Sequence, residues 1–393
     1  MISFEDALNI VCDSVAENET GTETVGFTNS LGRVLAKDIV SDMDMPPFDK
    51  SAVDGFACKI TDINHELTIV ETIQAGKHPE KVLSDNQCSK IMTGAMVPHG
   101  ADCVLMVEFI ENVSEHKVRF MNETTHANVC YRGEDIKKGQ VVLLKGTLIK
   151  PEHIAVMATV GCVNPEVYKS PVVGIISTGN EIVEPEVKPE ISKIRNCNAF
   201  QMMAQCININ IPYNYHGIAH DSPEATEKII KEALLLNDIV ILTGGVSMGD
   251  YDYVPMVMKK LGVKILFQSI AVQPGKPTVF GTIDNKYIFG LPGNPVSSFI
   301  QFELLVKPLI FKIMGRALIP SDLKLALGKD YKRKKADRKA IVPVKIETDG
   351  CVYPVEFHGS AHINSLSGAD GLMFVEKGCA SVNKGEIVSV RQI

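Results

Sequence analysis

Asp238-Ile-Val-Ile-Leu-Thr-Gly-Gly-Val-Ser-Met-Gly-Asp250 is the stretch whose reading decides the fold. Its first half is an uninterrupted apolar run, and its second half carries three glycines. An apolar run of that length, closed by a glycine-rich turn, reads as a strand buried on both faces and followed by a loop. Working outward, Pro171-Val-Val-Gly-Ile-Ile-Ser177 and Ile211-Pro-Tyr-Asn-Tyr-His216 read as two further strands. Helical patterns over 198–207, 223–236 and about 253–261 alternate with them. Strand and helix in alternation over about 170–315 predict a parallel sheet covered on both faces.

The flanks read differently. Residues 3–15 carry a helical apolar stripe (Phe4, Ala7, Leu8, Val11, Cys12, Val15), with Ser3 and Asp6 spaced as a capping box. Between about 34 and 145 the text becomes short β-branched runs, such as Leu67–Ile73, Cys103–Val107 and Gln140–Leu144, separated by Gly, Asn and Pro. A helix over 151–160 leads out of this β-rich unit. The last segment, about 320–393, returns to short strands with Gly-rich connections, which predicts a terminal β-barrel or sandwich.

In an open α/β sheet, ligands bind beyond the carboxyl ends of the strands. Three loops end there. Ser177-Thr178-Gly179-Asn-Glu181 offers hydroxyls, a flexible glycine and a carboxylate. Gly244, Gly245, Ser247 and Gly249 let backbone N–H groups close around an anion. Pro292-Gly293-Asn294-Pro295 then opens a helix, with Asn294 expected as N-cap, Pro295 at the first helical position and Ser297 in the first turn. The spacings match neither a P-loop nor a dinucleotide fingerprint. Glu181, Asp221, Asp250 and Asp252 bring carboxylates to the same strand ends, a setting that suits Mg²⁺ beside bound phosphate. Far upstream, Met45-Pro-Pro-Phe-Asp-Lys-Ser-Ala-Val-Asp-Gly-Phe-Ala57 places Asp49 and Asp54 in a turn.

Composition narrows the alternatives. A net charge of −7 with no basic run argues against a nucleic-acid binder. No uncharged apolar run approaches the ~20 residues that a membrane span needs. The opening Met1–Leu8 lacks the basic leader and apolar core of a signal peptide. Ten cysteines without a Cys-x-x-Cys pair suggest reduced thiols in a cytoplasm. The pairs His216/His220 and His358/His362 enclose a glycine each and are not read as metal sites. No Gly-x-Ser-x-Gly elbow is present.

These motifs, in this order, resemble the molybdopterin molybdenumtransferases of the MoeA type, a family that includes the E domain of gephyrin. The resemblance runs through PPFDKSAVDGFA from Pro46, MTGAMVPHGAD from Met92, RGEDIKKG from Arg132, STGNE, TGGVSMGDYDY, QPGKP and LPGNPVS. It implies a multidomain chain of four parts. Residues 1–40 with 140–168 would form a helical linker domain and 41–139 a β-rich domain. An α/β molybdopterin-binding domain would cover 169–318, and a β-barrel 319–393. It also implies a homodimer whose site is shared between subunits, so that Asp54 and Thr93 of one face Glu181, Asp221 and Asp252 of the other. The implied substrates are molybdopterin adenylate and molybdate, with Mg²⁺ as cofactor, and a molybdopterin adenylyltransferase is an implied partner. Lys276 would supply a point charge for an oxyanion.

Three departures from the family pattern stand out. Gln273 replaces a common lysine, Ala340–Pro343 lacks a common arginine, and Asn364 stands where serine is common. Arg338 and Lys339 lie close to the missing arginine but alternate out of register with it. A non-catalytic pterin-binding scaffold and a molybdopterin adenylyltransferase therefore stand as alternative readings.

Overall fold

α1 (Phe4–Asp13) forms as its stripe dictates: Phe4, Ala7 and Val11 are buried, and Ser3 Oγ accepts the Asp6 N–H at 3.0 Å. The computed structural model describes residues 1–15, 21–246, 253–316, 322–356, 359 and 361–393. Ser247, Gly249, Asp250, Asp252 and His358 thus lie outside the described residues. α2 (Pro151–Thr159) starts on proline and buries Met157 against Leu35, Ile149 and Val167. Thr22–Thr24 pairs with Glu166–Tyr168, and Ile39–Val40 with Val141–Leu143. Segments on either side of the β-rich insertion are thereby stitched together.

The β-rich unit is a six-stranded sheet of β1 (Gly55–Cys58), β2 (Glu66–Ile73), β3 (Gln87–Ile91), β4 (Cys103–Met106), β5 (Ile110–Ser114) and β6 (Lys117–Phe120). Its order is β4-β1-β3-β2-β6-β5. At the head of β1, a Cβ on Gly55 would stand 1.8 Å from the Leu105 carbonyl oxygen. Only glycine lets β1 lie this close to β4, which explains the residue that follows Asp54.

The central unit runs β7 (Val173–Thr178), α3 (Asn198–Asn208), β8 (Tyr213–Ala219), α4 (Pro223–Leu236), β9 (Ile239–Thr243), α5 (Val254–Lys260), β10 (Lys264–Phe267), β11 (Val272–Gln273), β12 (Val279–Ile283), β13 (Lys286–Leu291), α6 (Pro295–Gln301) and α7 (Lys307–Ile313). Its six-stranded sheet has the order β8-β7-β9-β13-β12-β10. Helices cover both faces, with α1, α3, α6 and α7 on one and α4 and α5 on the other. The sheet is mixed, not parallel throughout. β8, β7, β9 and β13 are parallel, whereas β12 alone is reversed and pairs antiparallel with both β13 and the edge strand β10. Asp284 and Asn285, at φ 44° and 60°, make a two-residue hairpin turn that dictates the reversal.

The last unit is built from β14 (Leu323–Ala326), β15 (Lys339–Ile346), β16 (Val352–Pro354), β17 (Gly371–Val375) and β18 (Ile387–Gln392). The order is β11-β15-β17-β18-β14, with β16 on the side of β15. A bridge from Leu327 to Val352 curls this sheet back on itself around Val344, Met373 and Val390. β11 comes from the central unit, so the two units share a sheet. Among the described residues, no helix is long and apolar enough to cross a membrane.

Candidate functional site

The chain leaves β7, passes to β8 on one side, and returns to β9 on the other. That reversal opens a crevice at the carboxyl ends of β7 and β9, the place where open α/β sheets bind ligands. A cavity of about 710 Å³ lies there, in the size range of small-ligand sites. Of the residues expected at a site, it gathers Ser177, Thr178, Gly179, Glu181, Asp221, Gly244, Gly245, Pro292, Gly293, Asn294 and Pro295. Ser297 is buried and takes no part in the cavity wall. Ser247, Gly249, Asp250 and Asp252 fall outside the described residues.

Hydrogen bonds between distant loops hold the walls. Asn198, at the start of α3, donates from Nδ2 to Thr243 Oγ1 and to the Gly293 carbonyl, both at 2.7 Å. One side chain thus ties α3 to the end of β9 and to the loop before α6. Gly244 has φ 97°, and a Cβ on it would lie 2.6 Å from the Thr178 carbonyl oxygen. Its N–H donates to the Leu291 carbonyl, so Gly244 fastens β9 to β13. The cradle for an anion therefore starts at Gly245 (φ 62°). Asn294 occupies the N-cap position of α6, but its side chain does not cap the helix; the expected cap gives way to Pro295 at the start of the helix.

Asp221 and Asn180 clasp one another. Asp221 Oδ2 accepts the Asn180 N–H at 3.0 Å, and Asn180 Oδ1 accepts the Asp221 N–H at 3.2 Å. Asp221 keeps its other carboxylate oxygen free of hydrogen bonds among the described residues. The Glu181 carboxylate folds back over Gly179, within 2.6–2.8 Å of where a Cβ there would stand. A side chain at 179 would push that carboxylate aside and would also strain the backbone, which holds φ 142°. Behind this wall, Ser177 Oγ donates to Asn196 Oδ1 (2.9 Å), Asn196 Nδ2 to Tyr215 Oη (2.8 Å), and Tyr215 Oη to Glu184 (2.6 Å). Burial, reinforced by the bond to Glu184, pushes the Tyr215 phenol well above its ordinary range, so it stays a donor.

Lys276 is exposed beside Pro277, which lines the cavity. Its backbone carbonyl accepts the Ile270 and Thr278 N–H groups, both at 3.0 Å. The C-terminal unit also contributes, since Ala361 and Ile363 reach the cavity. Arg338 lies against this loop, yet its Nη1 donates to the Val272 carbonyl at 3.2 Å. Lys339 is held between Glu5 and Glu376 at 2.5 and 2.8 Å. Pro343 sits inside β15, opposite Leu372. His216 bonds Asn237 and His220 bonds Asn180, so the two histidines serve separate contacts.

Asp54 and Thr93 form a second cluster, remote in the chain. Asp54 Oδ1 accepts both the Thr93 N–H (2.7 Å) and the Thr93 hydroxyl (2.9 Å). Those two bonds, the backbone one first, hold the carboxyl below the usual carboxylate range. Asp49 instead accepts the Arg132 N–H at 2.7 Å and anchors the loop around it. Among the described residues, no hydrogen bond, ion pair or core cluster joins 46–135 to 170–316. The described residues also contain no group of three or more His, Cys, Asp or Glu side chains that could hold a metal. Sequence reasoning missed Arg195, Asn196 and Asn198, which line the cavity. Their signal was the Asn-Cys-Asn run at the start of a helix.

Comparison with known proteins covers nearly the whole chain. Residues 2–161 match the family described as the MoeA N-terminal region (domain I and II), and 174–312 that of a probable molybdopterin binding domain. Residues 324–393 match the MoeA C-terminal region (domain IV). A relative from Staphylococcus epidermidis, called molybdopterin molybdenumtransferase, is 36% identical over 377 residues, covering 93% of this chain and 90% of the relative. One of the same name from Bacillus subtilis is 34% identical over 403 residues, covering 99% and 93%. The crystal structure of a molybdopterin biosynthesis MoeA protein from Pyrococcus horikosii superimposes with a TM-score of 0.80 at 32% identity, covering 100% of this chain and 99% of that one.

Proposed function

Because the chain belongs to the MoeA family of molybdopterin molybdenumtransferases, we propose that it inserts molybdate into adenylated molybdopterin during molybdenum cofactor biosynthesis. Molybdate joins the dithiolene sulfurs of the pterin, the adenylate link is cleaved, and AMP leaves with the finished cofactor. The observation that carries this reading is the cavity at the ends of β7 and β9. There a glycine cradle, a helix opening and two carboxylates face one space.

The cradle from Gly245 and the first turn of α6 receive the anionic, phosphate-bearing part of the substrate. Ser177, Thr178 and Gly179 form the facing wall, and Asn198 holds the two sides at fixed separation. Glu181 and Asp221 would hold Mg²⁺, with Asp250 and Asp252 as further candidates outside the described residues. The donor set fits, because Mg²⁺ typically takes one or two carboxylates and completes its shell with phosphate oxygens and water. When bound it would offset charge developing at the phosphate link. Lys276 balances part of the molybdate dianion at the rim.

The functional unit is a homodimer in which Asp54 and Thr93 of one subunit complete the cavity of the other. What supports this is that both are preorganised for a task, yet among the described residues no hydrogen bond, ion pair or core cluster joins them to the cavity. The four-part division (1–40 with 140–168, 41–139, 169–318, 319–393) is supported by the two strand pairings that rejoin the linker. The enzyme works in the cytoplasm, downstream of a molybdopterin adenylyltransferase that makes its substrate.

The test is to supply purified protein with molybdopterin adenylate, Mg²⁺ and molybdate and to follow AMP. The proposal requires AMP release that depends on molybdate. Tight pterin binding with no molybdate-dependent release would favour the scaffold reading, which the exposed, uncharged Gln273 supports. Consumption of ATP would identify an adenylyltransferase.

A further inference from the structure

Gln301, the last residue of α6, is fully buried, and neither its Nε2 nor its Oε1 has a hydrogen-bond partner among the described residues. A primary amide can donate twice and accept twice, and one left unpaired in a core is rare. The surroundings indicate what it serves. A Cβ on Gly275 would stand 2.2 Å from Gln301 Nε2, so the amide lies directly against the backbone of Gln273-Pro-Gly-Lys276. Gly275 holds φ 104°, a conformation open to glycine. Thr278 Oγ1 pins the Gly275 carbonyl at 2.8 Å, and the next residue, Lys276, stands exposed next to Pro277, which lines the cavity. Directly after Gln301 the helix widens into a π-helical turn over Phe302–Val306 before α7 begins. Such turns recur at functional sites and change the direction in which neighbouring side chains point.

We infer that Gln301 is a positioning residue for Lys276, acting through Gly275. A small movement of the Gly275 peptide, made when the loop closes on an oxyanion, brings that peptide into hydrogen bonding with the buried amide. The amide thus favours the closed loop and raises oxyanion affinity from beneath, without touching the anion. This rests on the molybdate-insertion reading above.

The test uses the full-length protein and variants Gln301→Met, Lys276→Ala and their combination. Molybdate-dependent AMP release and the binding of molybdopterin adenylate are measured alongside thermal unfolding. Methionine keeps the volume and removes the unpaired polar atoms, so Gln301→Met should unfold at the same or a higher temperature. Loss of one positioning hydrogen bond should raise the KM for molybdate about ten-fold, with kcat and pterin binding little changed. In the Lys276→Ala background the same substitution should add nothing, because its effect passes through that lysine. Gln301→Glu, whose buried carboxyl group in its protonated form still donates and accepts a hydrogen bond, should recover part of the molybdate affinity. A Gln301→Met enzyme with wild-type molybdate KM, or one whose effect adds fully to that of Lys276→Ala, would overturn the inference. If Lys276→Ala itself leaves the molybdate dependence unchanged, the failure lies with the oxyanion reading of the site.

Discussion

Replacing Asn198 by alanine tests whether one side chain holds the cavity together. Its Nδ2 donates two hydrogen bonds of 2.7 Å, one to Thr243 Oγ1 and one to the Gly293 carbonyl. Asn198 is buried, so water does not replace the lost amide freely. Two neutral hydrogen bonds contribute about 1 kcal/mol each, and because Gly293 is exposed at the cavity, water can reach its carbonyl and no burial penalty is added. The Thr243 hydroxyl loses an incoming donor but keeps its own bond to the Pro292 carbonyl at 3.4 Å, so it is not left unsatisfied. The net expectation is a loss of about 1–2 kcal/mol, concentrated in the central unit. Urea unfolding gives the total, and amide hydrogen exchange locates it. Protection should fall at the end of β9 and the start of α6 while β1–β6 stay unchanged. Pterin binding should weaken together with that loss. A stability change below about 0.5 kcal/mol, the range of an ordinary surface substitution, would refute the reasoning.

Other substitutions separate folding from ligand contact. Gly244→Ala combines φ 97° with a Cβ 2.6 Å from the Thr178 carbonyl oxygen, so it should cost more than about 2 kcal/mol by urea titration. Gly293→Ala meets nothing closer than 3.6 Å and should leave stability within about 0.5 kcal/mol, yet lower pterin affinity by calorimetry because the new methyl faces the ligand. Gly55→Ala would place a methyl 1.8 Å from a backbone oxygen and should unfold the β-rich unit, visible as loss of cooperative melting. Thr93→Val removes the hydroxyl bond to Asp54 but keeps the backbone one, so the Asp54 pKa should rise part of the way to about 3.9. Because the folded-state pKa is depressed, the stability tied to this bond is present above that ordinary value and is lost as pH falls through the folded one. Carboxyl NMR titration checks it, and an unmoved pKa would count against the contact.

Much of this architecture was legible in the residues. The helix at Pro223–Leu236 could be read to its ends, because Ser222 and Pro223 start it and its apolar period is strong. The three site loops were legible because glycine and proline punctuate strand ends. The antiparallel edge was missed although Asp284-Asn285 is a hairpin signal; the apolar strands beside it dominated the reading. Asn198 was passed over because its partners lie 45 and 95 residues away, and sequence spacing does not reveal such pairs. The sharing of β11 between two units and the π-helical turn after Gln301 have no local signature either. Both follow from packing between segments that meet only in the fold.

Mixing two inactive variants tests the shared site most directly. Asp54→Asn removes the carboxylate of the β-rich loop, and Asp221→Asn removes one from the cavity. Co-expressed and purified as mixed dimers, random pairing makes about half of the dimers heterologous, each with one site carrying both wild-type residues. Molybdate-dependent AMP release should then return to about one quarter of the wild-type rate, while each variant alone stays inactive. A mixture as inactive as its components, or an Asp54→Asn protein with full activity, would contradict a site completed by the second subunit.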